Sequence, residues 1–413
     1  MYNENMNKKQ KVCAIICEYN PMHTGHIYQI QKIKEKLPGC YILGLMSGNF
    51  SQRSMPCILN KQDRTEIALQ NGIDAVVQIP TAFCIQNAEI FALSSIKILN
   101  SLKVDFLCFG METPNEKALN TLTDFLLNET SDFKNTLKKH LNKGLNYNES
   151  LILTIKELSR IFEDEIREDV VKLISLPNNI LAVEYVKALK RTNSRINYIL
   201  VKRESDYNNA KLEEKFTSSS SIRKNILNFE KVKKFLPKNT EKYFQKYTIN
   251  YTAFETIIHY NLKTISLNDL SEIYGITEGL ENRIKFNASA TSSFKDFQNL
   301  NSTRRYKESK INSIYLNALF KIDKKFINKF YTTKTNIYAK LLGLNSQKSD
   351  ILSKINTKNL ISRKNDAEKL LLKNNGFNNK IYEIENMANS LYNIISETQN
   401  LSENELFSKI III

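Results

Sequence analysis

A parallel α/β sheet joined to a mainly α-helical C-terminal domain is the fold class this sequence predicts, and three observations carry it. Between residues 11 and 110, short apolar runs alternate with amphipathic helical patterns, the signature of βαβ units. The first run, Val12 to Cys17, opens directly into the motif Glu18-Tyr19-Asn20-Pro21-Met22-His23-Thr24-Gly25-His26. Beyond Pro237 there is no proline, and Leu, Ile, Asn and Lys recur with helical periodicity. The expected division is an α/β unit over residues 10–235 and a basic helical unit over 236–413.

Val12-Cys13-Ala14-Ile15-Ile16-Cys17 is too short for a typical helix and rich in β-branched and small residues, as a strand covered on both faces should be. Pro21 forbids a continued ladder. Ile27, Ile30, Ile33 and Leu37 then follow at helical spacing, which puts His23 and His26 in the first turn. There, unsatisfied N–H groups and the helix dipole favour phosphate, with Gly25 expected to keep the approach open. An imidazole is short, rigid and a donor, so two of them three residues apart can hold phosphate oxygens as charge builds in an in-line displacement. The chain has four histidines; His140 and His259 lie in helical-looking segments and read as structural.

Further strands are expected at Tyr41 to Met46, Ala75 to Ile79, Val104 to Phe109 and Ile196 to Val201. Ligands of such sheets bind beyond the strands' carboxyl ends, here Tyr19 to His23, Ser47 to Arg53, Pro80 to Phe83, Gly110 to Glu112 and Lys202-Arg203. Residues 115–190 read as mostly helical, broken at Gly144 and at Pro177-Asn178-Asn179, with Asn178 as a cap. The cluster Thr217-Ser218-Ser219-Ser220-Ser221-Ile222-Arg223 opens a helix with hydroxyls and a cation available to phosphate oxygens, although serine runs commonly serve only as caps.

Fifty-nine Lys and Arg against 43 Asp and Glu give a net charge of +16, which points to a polyanionic partner, nucleic acid first. No segment approaches 18 consecutive apolar residues and the start lacks an apolar leader core, so a cytoplasmic protein off the membrane is expected. All six cysteines fall before residue 110 without a C-x-x-C pair, and read as small buried residues rather than disulfides or zinc ligands. Residues 301–380 hold 18 Lys and Arg against 5 Asp and Glu. Within that stretch Arg304-Arg305-Tyr306-Lys307 is the expected RNA contact, through Arg304, Arg305 and Lys307. Most interleaved aromatics, Tyr315, Phe320, Phe326 and Phe330 among them, read as helical core.

Together, Asn20-Pro21-x-His23-x-Gly25-His26 and Thr217-Ser-Ser-Ser-x-Ile222-Arg223 resemble the H-x-G-H nucleotidyltransferase-like superfamily, which shares its Rossmann-like fold with class I aminoacyl-tRNA synthetases. More narrowly, the chain resembles the bacterial tRNA(Met) cytidine acetate ligases. That likeness rests on Met46-Ser47-Gly48-Asn49-Phe50-Ser51-Gln52-Arg53, Arg64-x-x-x-Ala68-Leu69-x-x-Gly72-x-Asp74, Phe109-Gly110-Met111-Glu112, Pro177-Asn178-Asn179-Ile180-Leu181 and Arg304-Arg305-Tyr306. It spans about residues 10 to 340. Ser54 stands where the family usually has glycine, Cys57 where it has alanine, and Met111 where it has serine.

The resemblance implies a ligase that forms acetyl-AMP and pyrophosphate from ATP and acetate, then acetylates N4 of the wobble cytidine, position 34, of elongator tRNA(Met). By motif position, ATP would lie along Ile16 to Gln29, including Ile27, Tyr28 and Gln29, with Gly110, Asn178, Arg203, Ser218 and Ser219 as further contacts. His23, His26 and Arg223 would stabilise the displacement. Mg²⁺ is expected on the triphosphate, without a dedicated protein metal site, and no protein partner is implied. Two alternatives remain open on the residues: a small-molecule nucleotidyltransferase making a dinucleotide cofactor, and a catalytically silent RNA-binding protein.

Overall fold

One eight-stranded sheet runs through the chain in the order β5-β4-β1-β2-β3-β6-β7, with β8 pairing β6. The strands are β1 (Val12–Cys17), β2 (Tyr41–Ser47), β3 (Ala75–Ile79), β4 (Phe106–Met111), β5 (Asn197–Lys202), β6 (Ala339–Leu344), β7 (Leu360–Ile361) and β8 (Ile411–Ile412). The computed structural model describes residues 10–203, 217–245, 248–277, 279–373, 376–396 and 408–413. All pairings are parallel except β3 with β6. The first five strands lie where the apolar runs predict them, and β1 to β3 are nearly continuous apolar segments because helices cover both faces.

From β1 the chain goes to β2 on one side, whereas β4 closes on the other, so the order reverses between β1 and β4. A crevice opens beyond the carboxyl ends of those two strands, the place where open α/β sheets bind ligands. Five helices fill the β4–β5 connection: Glu116–Leu127, Ser131–Leu141, Tyr147–Glu157, Asp164–Ser175 and Pro177–Arg191. Pro177 takes the first helical position of the last, which its fixed φ and missing N–H suit, and Leu176 occupies the cap position. Asn178 is therefore the second residue of that helix rather than its cap.

Three strands of the sheet come from the region expected to be helical. Ala-Lys-Leu-Leu-Gly-Leu has no β-branched residue and becomes a strand only through pairing on β3. Its approach to the helix Lys61–Gln70 depends on Gly343, where an added Cβ would meet Thr65 at 2.4 Å and Leu69 at 2.8 Å. Among the described residues the rest of the C-terminal region is mostly helical, and the helix Phe377–Ser396 packs on the segment after β3. Its Glu385 faces Lys61 at 3.6 Å, accepts from Gln78 at 2.5 Å and from the Thr81 backbone at 2.8 Å; both charged side chains are 1 % exposed. Tyr315, Phe320, Phe326 and Phe330 are core, as expected.

Arg64, 1 % exposed, ties the strand ends together. Its guanidinium donates to the carbonyls of Glu18 at 2.6 Å, Ser47 at 3.3 Å, Leu59 at 3.0 Å and Gly48, and to the Ser47 hydroxyl. A lysine cannot reproduce that planar fork. Arg64→Lys is expected to lower unfolding free energy by about 3 kcal/mol, because several buried carbonyls each lose a charged donor. Urea unfolding measures the effect, and a midpoint unchanged from wild type would show that the fork is not what holds these loops.

Candidate active site

The turn after β1 is built from side chains that bind its own backbone. Tyr19 sits in the left-handed region at φ 46°, the Asn20–Pro21 peptide is cis, and Asn20 Oδ1 accepts from the Ile58 N–H at 2.9 Å. His23, 3 % exposed, caps the helix Thr24–Lys36: its Nδ1 accepts from the Gly25 N–H at 3.1 Å. Reciprocally, the His23 N–H donates to Nδ1 of His26 at 3.2 Å. The arrangement is a capping box in which imidazoles take the places usually held by Ser and Glu. Gly25 serves it directly, since a Cβ there would lie 2.9 Å from His23 Cε1. The glycine makes room for the imidazole rather than for a ligand alone.

Protonation follows from this geometry. Burial lowers the His23 pKa to about 3, with Arg203 and Arg223 adding to the shift, and burial followed by His23 and Arg203 holds His26 well below 6.5. Both rings are neutral near pH 7. With each Nδ1 accepting a backbone N–H, the single ring proton resides on Nε2, so both histidines are Nε2–H donors. Their rings lie 3.8 Å apart, centroid to centroid, and Tyr19 packs edge-on against His26 at 5.0 Å.

A cavity of about 790 Å³ stands over the two rings. From the stretch Ile16–Gln29 it takes Ile16 to Asn20, His23, His26 and Gln29, whereas Pro21, Met22, Thr24, Gly25, Ile27 and Tyr28 do not line it. Gly110 and Arg203 close the β4–β5 side. A Cβ on Gly110 would meet Arg203 Cγ at 2.9 Å, so the absent side chain lets the arginine lie across β4. Ser218 caps the helix Ser219–Asn225 by accepting from Ser221, and Ser219 donates to the Pro21 carbonyl at 3.3 Å. Arg223 donates to the Asn20 carbonyl at 2.6 Å and to Ser220 at 3.0 Å. The serine segment and the H-x-G-H turn, some 200 residues apart in sequence, therefore form one wall.

Asn178 contributes no described side chain; its neighbour Asn179, fully buried, anchors the loop after β4 by accepting from the Glu112 N–H at 3.2 Å and donating to Thr113. Pro80 to Phe83, expected at the mouth, turns away to meet Glu385 through Thr81. Ser54 stands at φ 58° with its hydroxyl on the Ile85 carbonyl at 2.9 Å, a left-handed position that accounts for the glycine usual there. Sequence reasoning missed further lining residues, among them Met55, Tyr251, Ser309 and Asn312, and read Lys307 only as an RNA contact. Lys307 and Arg304 meet Glu149 at 3.3 and 3.5 Å, and Arg305 is exposed beside them. His140 pairs with Glu157 and His259 packs on Phe297, as structural histidines.

Five of the six cysteines are buried and Cys40 is partly so, all as free thiols. Among the described residues no group of three or more His, Cys, Asp or Glu could hold a metal ion, and no helix is long and apolar enough to cross a membrane.

Residues 10–406 match the family model described as HIGH nucleotidyl transferase. This chain belongs to that family. Among its relatives, the tRNA(Met) cytidine acetate ligase of Caldanaerobacter subterraneus subsp. tengcongensis is 37 % identical over 84 % of this chain and 86 % of its own length. The Clostridium botulinum (strain Hall) enzyme of the same name is 32 % identical over 97 % and 98 %. Two structures of Thermotoga maritima TmcAL superpose with TM-scores of 0.85 and 0.84 at 25 % identity, over 98 % of this chain and all of theirs. One of them is apo and the other is bound with alpha-thio ATP. The match reaches residue 406, well past the point near 340 where the sequence resemblance ends, and takes in β6 and β7.

The two imidazoles also set an acid sensitivity. Their folded-state pKa values lie below the 6.5 of an exposed histidine, so between pH 6.5 and about 3 the unfolded chain binds protons the folded chain refuses. Their contribution to stability is complete above pH 6.5 and is lost as pH falls. A His23→Asn/His26→Asn double variant, which keeps acceptors for the capping box, should show a shallower loss of unfolding free energy between pH 6.5 and 4 in urea titrations. Equal slopes for variant and wild type would contradict neutral burial.

Proposed function

We propose that this protein is an ATP-dependent acetate ligase that forms acetyl-AMP and pyrophosphate and transfers the acetyl group to N4 of the wobble cytidine of elongator tRNA(Met). The observation that carries the reading is the convergence of two neutral Nε2–H donors with Arg203 and Arg223 over one cavity at the sheet's switch point. Relatives named for this activity match along nearly the whole chain. Acetate attacks the α-phosphorus and the bond to the bridging oxygen breaks, so pyrophosphate leaves with its electron pair. His23 and His26 donate Nε2–H to the phosphate oxygens on which charge grows, and Arg223, already fixed on the turn carbonyl, adds positive potential. Ser218 and Ser219 stand beside them on the same wall. Arg203 and Gly110 line the side assigned to the nucleoside, and Asn178 is assigned there by motif position alone.

Mg²⁺ is expected to arrive with the triphosphate. The cavity's carboxylates, Glu18 and Glu308, do not make a ligand cluster, so phosphate oxygens would supply most of the coordination. The basic residues at the rim are assigned to tRNA. Glu149 occupies Arg304 and Lys307 through exposed contacts that an RNA phosphate can displace at little cost.

Incubation with ATP, [¹⁴C]acetate and total tRNA, followed by nucleoside analysis, should yield labelled N4-acetylcytidine, AMP and pyrophosphate. Acetylation from acetyl-CoA without ATP would remove the ligase mechanism. His23→Ala or His26→Ala should each slow acetate-dependent ATP–pyrophosphate exchange by a factor corresponding to about 3 kcal/mol, with tRNA binding little changed. Wild-type exchange in either variant would exclude that histidine from the site.

At the rim, Arg304→Ala/Arg305→Ala/Lys307→Ala should weaken tRNA binding and flatten its salt dependence. Glu149→Gln should do the reverse, strengthening binding by up to about fivefold. Filter binding across a salt series reads both, and an unchanged slope in the triple variant would exclude this surface.

A further inference from the structure

The proposed function leaves Met55, Tyr251 and Asn312 of this cavity without a task, and the polar group among them is fixed in a way that selects a ligand. Asn312, on the helix Glu308–Leu319, is 8 % exposed and lines the cavity. Gln298 Nε2 donates to Asn312 Oδ1 at 2.9 Å and to Glu308 Oε1 at 3.4 Å. A carboxylate only accepts, so Glu308 fixes the amide end of Gln298, and Gln298 in turn fixes the oxygen end of Asn312. The NH₂ of Asn312 is thereby turned to the cavity side, where its partner is the thioether sulfur of Met55 at 3.7 Å. Sulfur is a weak acceptor, so a nearly buried donor is held ready for a better one.

The surroundings suit a flat, unpaired base. Met55 and Tyr251 give a polarizable thioether and an aromatic ring on the same cavity, surfaces against which a base packs. Lys307 lines this cavity and also belongs to the basic stretch assigned to RNA, so the two surfaces are continuous.

We infer that Asn312, with Met55 and Tyr251, forms the acceptor-base subsite and that Asn312 Nδ2 reads the acceptor edge of cytosine. O2 and N3 of cytosine both accept, whereas uracil presents N3–H as a donor, so an NH₂ aimed at this edge favours cytosine. That contact leaves N4 free. N4 attacks the acetyl carbonyl carbon, the bond from that carbon to the AMP phosphate oxygen breaks with its electron pair going to AMP, and N4 gives up one proton to solvent. Gln298 is a positioning residue, acting through Asn312.

This inference rests on the ligase reading, and the test separates the two. Asn312→Asp keeps the shape and the Gln298 bond but replaces the donor by an acceptor; Asn312→Leu removes polarity at similar volume. Acetate-dependent ATP–pyrophosphate exchange and single-turnover transfer from preformed acetyl-AMP to an anticodon stem–loop are measured for both variants and wild type. Both variants should retain exchange while transfer falls about tenfold or more, with Asn312→Asp the worse. Gln298→Leu should lower transfer less than either, because the Asn312 amide remains present but free to rotate. Transfer at the wild-type rate in Asn312→Asp would overturn the inference, as would parallel loss of exchange in both variants, which would place Asn312 in the nucleotide half. Failure of wild type to give exchange or acetylated cytidine would instead sink the ligase reading.

Discussion

The loops that leave β1 and β2 toward the cavity are held by the buried guanidinium of Arg64. Strand ends in a parallel sheet release the chain into loops whose carbonyls have lost their ladder partners, and at β1 and β2 those carbonyls are turned inward. One planar cation with five N–H groups satisfies the last carbonyls of both strands and that of Leu59, which no neutral side chain could do. The consequence reaches the next residue. With the Glu18 carbonyl fixed by Arg64 and its carboxylate fixed by the Gln52 N–H at 2.7 Å, Tyr19 is held at a positive φ that a tyrosine rarely adopts. That conformation delivers Asn20, Pro21 and the histidine turn to the crevice.

In the proposed reaction the same atoms of the turn do structural and chemical work. The Nδ1 atoms are committed to backbone N–H groups, so the tautomer is settled before any substrate arrives. Burial keeps the rings uncharged, although two arginines nearby already push in that direction. Neutral donors of fixed direction need little reorganisation when negative charge develops, whereas two imidazolium ions at 3.8 Å would repel each other. Positive potential is left to Arg203 and Arg223.

The amino-terminal sheet and the phosphate turn were legible because their signals are local: apolar runs of strand length, an N-P turn and helical spacing after it. The serine segment was legible only as the second half of a resemblance, and its contact with Asn20 and Pro21 is a tertiary fact. What could not be read depends on partners far away in sequence. Ala339–Leu344 carries no strand propensity of its own, and Glu385 looks like any surface residue of an amphipathic helix until Lys61, Gln78 and Thr81 surround it. The acceptor wall was hidden for a related reason. Attention to the Arg304–Lys307 charges passed over Asn312, a neutral residue whose meaning lies in which way Gln298 turns its amide.

Those distant contacts also explain how one cavity can hold two substrates in register. The helix that carries Asn312 is bound to the segment after β3 by Ser313 on the Ile85 carbonyl at 2.8 Å and by a reciprocal amide pair between Asn317 and Gln86. Gln86 in turn accepts through its carbonyl from Gln52, the residue whose N–H fixes Glu18. The histidine turn and the acceptor wall are therefore ends of one chain of buried and part-buried hydrogen bonds, so their spacing is set by the fold. In the proposed reaction this matters because an acyl adenylate is a mixed anhydride that water destroys. The protein side of the cavity is preformed, and the exposed Arg304, Arg305 and Lys307 stand at its rim. RNA docked on those charges would itself cover the opening, so the substrate that accepts the acetyl group would also be the lid that protects it.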